Sequence, residues 1–179
     1  MNFEIPMINN LVEIWLNEDL GRGDLTTLLD GNQRCSAQWE AKQSGVFCSG
    51  PLIKKLFQRL DNSVEIWLHV EEGGSFQSGQ KILNLTGKKS VLLAGERTAL
   101  NIAMHLSGIA TAAEKLVKQL DGTGVYLADT RKTTPLNRII EKWAVRIGGG
   151  INHRFGLYDM IMIKDNHIDF SGGIAQAIS

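Results

Sequence analysis

Arg131, Lys132, His153, Arg154, Lys164 and His167 fall within fewer than forty residues of one another. They arrive in three short segments: Thr130-Arg131-Lys132-Thr133-Thr134-Pro135, Gly148-Gly149-Gly150-Ile151-Asn152-His153-Arg154 and Ile163-Lys164-Asp165-Asn166-His167. Arginine grips a carboxylate or phosphate through two parallel hydrogen bonds, and lysine adds a movable point charge. A set of this kind suits a small ligand with several negative groups.

Composition keeps that chemistry local. The chain has 19 Lys+Arg against 19 Asp+Glu, so it lacks the cationic excess of a nucleic-acid coat. From Val125 to His167 there are seven basic residues against four acids, which leaves the remainder mildly acidic. With 179 residues and 43% hydrophobic content, one large or two small domains can each bury a core. Cys35 and Cys48 are the only cysteines and lack metal-ligand spacing. They predict a reduced, cytoplasmic setting and no disulfide framework. Residues 1–10 show no secretory signal, and no apolar run approaches the roughly 20 residues that span a bilayer.

The elements that must carry these residues follow from periodicity. Leu11, Ile14, Trp15 and Glu18 predict an amphipathic helix that Gly21-Arg22-Gly23-Asp24 ends. Alternation over Cys35–Lys42 and Val64–Val70 predicts half-buried strands, with Pro51 opening a helix between them. Turn signals at Glu72-Gly73-Gly74 and Ser78-Gly79 bracket further short strands. Leu92–Leu120 predicts a long helical stretch, with Ser107-Gly108 the place where an interruption is expected. Val125–Ala128 and Met160–Ile163 are continuous apolar runs and predict buried strands; Ile139–Ile147 predicts a helix between them. Strands alternating with helices predict an α/β fold with a parallel sheet, whose ligands sit at the carboxyl ends of strands. Arg131 and Lys164 follow such ends. Arg138 and Lys142, at i,i+4 spacing, read as exposed helix charges. His69 and His105 read as structural, and Trp15, Trp39, Trp67 and Trp143 as packing residues.

Glu18-Asp19 with Gly23-Asp24-Leu25-Thr26-Thr27, then Gly95–Asn101 and Leu106–Thr111, lead in order to Asp129–Pro135, Glu141–Val145, Gly148–Gly156 and Ile163–His167. Together these resemble the quinolinate phosphoribosyltransferases, the carboxylating nicotinate-nucleotide pyrophosphorylases of NAD biosynthesis. The resemblance covers essentially the whole chain and its combination of motifs is specific. It implies an α+β N-terminal open sandwich domain over residues 1–110, followed over 111–179 by the first part of an α/β barrel. Two departures stand out. After Pro135 the family usually has Gly-Leu-Arg where this chain has Leu136-Asn137-Arg138. Family chains also continue well past the position of Ser179. Acids for the ribose and turns for the 5′-phosphate are expected there, so the 179 residues are expected to be inactive alone.

The reaction implied joins quinolinate to phosphoribosyl pyrophosphate, releasing pyrophosphate and carbon dioxide and giving nicotinate mononucleotide. The resemblance assigns Arg131, Arg154 and Lys164, with Arg97 lent by the partner of a homodimer, to the quinolinate carboxylates. Thr130 and Thr133 join that substrate-binding set. Lys132 and His153 are placed towards the pyrophosphate and the reacting centre, making Lys132, His153 and Lys164 the catalytic candidates. Mg²⁺ is expected on the pyrophosphate oxygens and waters, with no metal ligands from the chain itself. Taken singly, Arg131 reads as a surface charge, His153 equally as a structural or a functional histidine and the glycine triplet as a helix stop; in combination they favour the pocket.

Three other functions compete. A ModD-type pyrophosphorylase linked to molybdate transport typically differs at Asn152-His153-Arg154 and Lys164–His167. A nicotinate phosphoribosyltransferase needs no second carboxylate clamp. A biotinyl or lipoyl carrier is suggested by the turns between Val70 and Gly87, but no Met-Lys or Asp-Lys hairpin tip occurs between Val46 and Leu85.

Overall fold

The computed structural model describes residues 6–26 and 33–179; Thr27 of the first motif lies outside them. Helix α1 (Pro6–Leu20) buries Ile8, Leu11, Val12 and Leu16, one stripe at helical spacing. It stops at Gly21, whose φ of 48° suits glycine. Strands β1 (Arg34–Glu40), β3 (Glu65–Leu68) and β5 (Lys81–Lys88) form an antiparallel sheet in the order β1-β5-β3. The central strand β5 buries Ile82, Leu83 and Leu85, as expected of a strand flanked on both edges. A small ribbon pairs β2 (Gly45–Val46) with β4 (Ser75–Phe76). Helix α2 (Gly50–Leu60), with Pro51 in its first turn, covers the sheet through Ile53, Leu56 and Phe57.

Helix α3 (Lys89–Gln119) is the spine of the molecule and runs across the expected boundary at residues 110 and 111. Its first half packs on the sheet and α2. Its second half meets α1 and α4 (Arg138–Ile147) through Leu106, Ala110, Ile140, Trp143 and Ala144. Gly95 permits the approach to α2, because a β-carbon there would lie 2.6 Å from the Phe57 ring. The interruption expected at Ser107-Gly108 does not occur. Gly108 is exposed, where a helical glycine costs only about 1 kcal/mol. The Ser107 hydroxyl accepts the Cys48 N–H at 3.1 Å, and the Thr111 hydroxyl accepts the Val46 N–H at 2.9 Å. These side chains tie the helix to the β2 segment.

The two apolar runs expected as buried strands are not strands. Val125 and Tyr126 are exposed, and so are Met160, Ile161 and Ile163. A parallel strand is buried only when paired along its length and covered on both faces. Among the described residues, the first run makes one parallel bridge, Ala128 to Ile151, and the second makes none. Trp67 is also exposed, at 71%, on the outer face of β3, whereas Trp143 packs in the core. Short helices α5 (Asp165–Ser171) and α6 (Ile174–Ile178) follow. The fold is mixed α/β as expected, and no described helix is long and apolar enough to cross a membrane.

Candidate active site

Helix α4 is buried on almost every side: Ile139 through Ala144 are six consecutive buried residues. Charges within that run cannot reach water and must be paired inside. Glu141 accepts the Thr134 N–H at 3.1 Å and bonds His105 Nε2 at 2.9 Å. Burial alone would raise its carboxyl, but the bonds from Thr134 and His105 outweigh burial and hold it below the ordinary value. Lys142 donates to Asp129. The expectation that Arg138 and Lys142 are exposed is therefore overturned. Lys142 lies in the buried run, and Arg138 turns inward to bond three acceptors.

Asp129 gathers its surroundings. One oxygen accepts the Lys142 ammonium and the His153 N–H, the latter at 2.8 Å. The other accepts the Asn152 amide, which also donates to the Lys142 carbonyl at 2.7 Å. Gly148, just past α4, lets this turn close on α3, since a β-carbon there would sit 2.3 Å from the Ala110 carbonyl oxygen.

The Thr130–Pro135 segment is stapled by Arg138. Its Nε donates to the Thr133 hydroxyl at 3.1 Å, and its two terminal nitrogens reach the Phe155 and Arg131 carbonyls at 3.1 and 3.4 Å. The Thr130 hydroxyl accepts the Lys132 N–H at 3.1 Å, closing a local turn. Lys132 is exposed and Arg131 half-buried, with the Arg131 Nε sealed from solvent and unpartnered among the described residues. Leu136 has a φ of 69°. It follows Pro135, and the Asn137 N–H donates to the Thr134 carbonyl at 3.1 Å. That is the pattern of a type II turn, whose third residue favours glycine. The turn after Pro135, where this chain departs from Gly-Leu-Arg, thus forms with leucine in a glycine conformation.

On the facing segment, His153 Nδ1 accepts the Arg154 N–H at 2.7 Å, so a neutral ring carries its proton on Nε2. Arg154 is buried and donates to the Met160 carbonyl at 3.1 Å. Asp159 shapes the intervening loop by accepting the Phe155 and Gly156 N–H groups at 2.6 and 2.9 Å, which hold its carboxyl below the ordinary value. Lys164 is exposed at the start of α5, its N–H on His167 Nδ1 at 3.1 Å.

Asp129 and Arg138 therefore bring together Thr130, Arg131, Lys132, Thr133, His153 and Arg154. Among the described residues, no hydrogen bond or ion pair joins Lys164 or Arg97 to this group; Arg97 is exposed on α3. Two clefts, of about 430 and 440 Å³, lie elsewhere. One runs between α1 and the Thr133–Leu136 turn, the other between α1, α3 and α4. Neither is lined by Arg131, Lys132, His153, Arg154 or Lys164. Two guanidinium groups beside an imidazole can bind a compact polyanion. No cluster of three or more potential metal ligands occurs among the described residues, and the Asp129 carboxylate is already engaged. Asp129, Glu141, Lys142 and Asn152 were missed from sequence. The available signal was the apolar residues spread widely around α4, which leave a charge in the middle of that helix little exposed surface.

The family model for the quinolinate phosphoribosyl transferase N-terminal domain matches residues 24–107, and that for the C-terminal domain matches residues 109–179. The probable nicotinate-nucleotide pyrophosphorylase (carboxylating) of Bacillus subtilis is 47% identical over 95% of this chain and 59% of its own length. A mitochondrial quinolinate phosphoribosyltransferase (decarboxylating) of Nicotiana tabacum is 35% identical over 96% of this chain and 49% of its own. The solved nicotinate-nucleotide pyrophosphorylase of Francisella tularensis superposes with a TM-score of 0.90 at 37% identity, covering 96% of this chain and 61% of that one. The chain thus spans less than two thirds of the length of these relatives.

Proposed function

The chain belongs to the quinolinate phosphoribosyltransferase family, and on that premise we propose that the protein it is part of makes nicotinate mononucleotide from quinolinate and phosphoribosyl pyrophosphate. The observation that carries this reading is the junction at Asp129, which accepts the His153 N–H, with Arg131 two residues beyond it in sequence and the Arg154 N–H on the His153 ring. Quinolinate has two adjacent carboxylates, and Arg131 and Arg154 are the cations assigned to them, with Lys164 and a partner subunit's copy of Arg97. Thr130 and Thr133 shape the arm that carries Arg131.

The pyridine nitrogen attacks the anomeric carbon as the bond to pyrophosphate breaks. Lys132 and the Nε2 side of His153 face the departing negative charge, where fixed donors are most effective. The alkylated ring nitrogen then stabilises the electron pair left when the neighbouring carboxylate departs as carbon dioxide. A proton fills that position. Mg²⁺ would be carried mainly by the pyrophosphate oxygens and waters, where it would offset their negative charge. Holding two polyanions together needs these fixed charges, and orientation supplies much of the acceleration.

The test is turnover by the full-length protein with Mg²⁺, phosphoribosyl pyrophosphate and either quinolinate or nicotinate. Carbon dioxide and nicotinate mononucleotide are expected in equal amounts from quinolinate. Equal use of nicotinate, or no release of carbon dioxide, would overturn the assignment.

A further inference from the structure

Asp129 continues a clamp that the backbone begins. Its N–H donates to the Ile151 carbonyl at 3.1 Å, and the Ile151 N–H donates to the Leu127 carbonyl at 2.8 Å. Beyond Ile151 the backbone pairing stops, and the Asp129 side chain takes over by accepting the His153 N–H and the Asn152 amide. Arg131 lies two residues past one jaw and Arg154 one residue past the other. Resting on the function proposed above, we infer that Asp129 is a positioning residue. Held by Lys142 and Asn152, it sets the spacing of the Arg131 and Arg154 guanidinium groups, and with it the fit of a pyridine carrying adjacent carboxylates.

Charge and geometry both support that role. A bare carboxylate beside an anion site would repel the substrate. Here the negative charge is matched by Lys142, and both side chains are buried, so the carboxylate holds donors without adding net charge to the site. A carboxylate is also suited to the task because its two oxygens accept several donors at once. In this case they come from α4 and from both residues that follow the bridge. Two-pronged recognition by arginine depends on alignment, and a displacement of about 1 Å at a binding group can cost on the order of a hundredfold. Asn152 extends the clamp by binding both Asp129 and the α4 backbone, although its residue is exposed.

The experiment is steady-state kinetics on the full-length protein and two variants. Asn152→Ala removes an exposed side chain and leaves the ion pair intact. Asp129→Asn with Lys142→Met removes both charges together, so neither is left buried alone. Both variants are expected to raise the KM for quinolinate at least about tenfold, while the KM for phosphoribosyl pyrophosphate stays within about twofold. A merely structural role would instead reduce the active fraction, lowering kcat with both KM values unchanged. An unchanged quinolinate KM in both variants overturns the inference. If the unmodified protein does not turn over quinolinate, the functional reading itself fails and takes this inference with it, so the wild-type control distinguishes the two failures.

Discussion

The Lys142 ammonium bonds the Asp129 carboxylate with the two side chains only 3% and 6% exposed. Removing one partner of such a pair leaves a buried charge uncompensated, at a cost of about 3–5 kcal/mol, whereas replacing both by uncharged groups is often neutral. Lys142→Met is therefore expected to lose about that much stability in urea unfolding, and adding Asp129→Asn to recover at least half of it. Additive losses in the double variant would show that the pair is not coupled.

Leu136 is 67% exposed with a φ of 69°. A left-handed conformation costs a β-carbon-bearing residue about 1–2 kcal/mol, and its exposed side chain returns little in packing. Leu136→Gly is expected to stabilise the fold by about 1 kcal/mol, seen as a rise in Tm of roughly 2–4 °C. A fall in Tm would mean that the Leu136 side chain packs against the α1 cleft strongly enough to offset the strain.

Glu72 accepts the Ser49 and Gly50 N–H groups at 3.2 and 2.8 Å, at the start of α2. Burial pushes its carboxyl above the ordinary 4.5, against the pull of those bonds and of Cys48. A raised carboxyl keeps its proton longer in the folded state. Its contribution to stability is complete below the unfolded value and is lost as pH rises through the folded one. Glu72→Gln keeps an acceptor and cannot ionise. Its stability relative to wild type is therefore expected to improve between pH 4 and pH 7 in matched urea unfolding. A relative loss over that interval would show that the bonds to the carboxylate outweigh burial.

Arg97 stands exposed on α3, with no hydrogen bond or ion pair among the described residues. If it serves a second subunit's site, full-length Arg97→Ala and Lys164→Ala proteins, each inactive, should regain activity when their subunits are exchanged, because one site of each mixed dimer is then whole. At most about a quarter of wild-type turnover is expected, since half the subunits pair unlike and half their sites are intact. No recovery after verified exchange would assign Arg97 to its own chain's site or to none.

Local pattern made much of the fold legible. Helices α1, α2 and α4, the alternating strands β1 and β3, and the stop at Gly148 all follow from periodicity and breakers, because each depends on side chains within a few residues of one another. The motifs Thr130–Pro135 and Asn152-His153-Arg154 were equally readable as a family signature. What local pattern misjudged depended on partners distant in sequence. Val125–Ala128 and Met160–Ile163 have the composition of buried strands, yet burial is a property of what covers them. Lys142 has the spacing of a surface charge, but it lies in the buried stretch of α4, which drives it onto Asp129, 13 residues earlier. The sequence by itself determined which charges are present and which segments bend, since those are properties of residue type and near neighbours. Only the tertiary structure decided which charges meet, because burial makes an unpaired charge too costly and so selects its partner from across the chain.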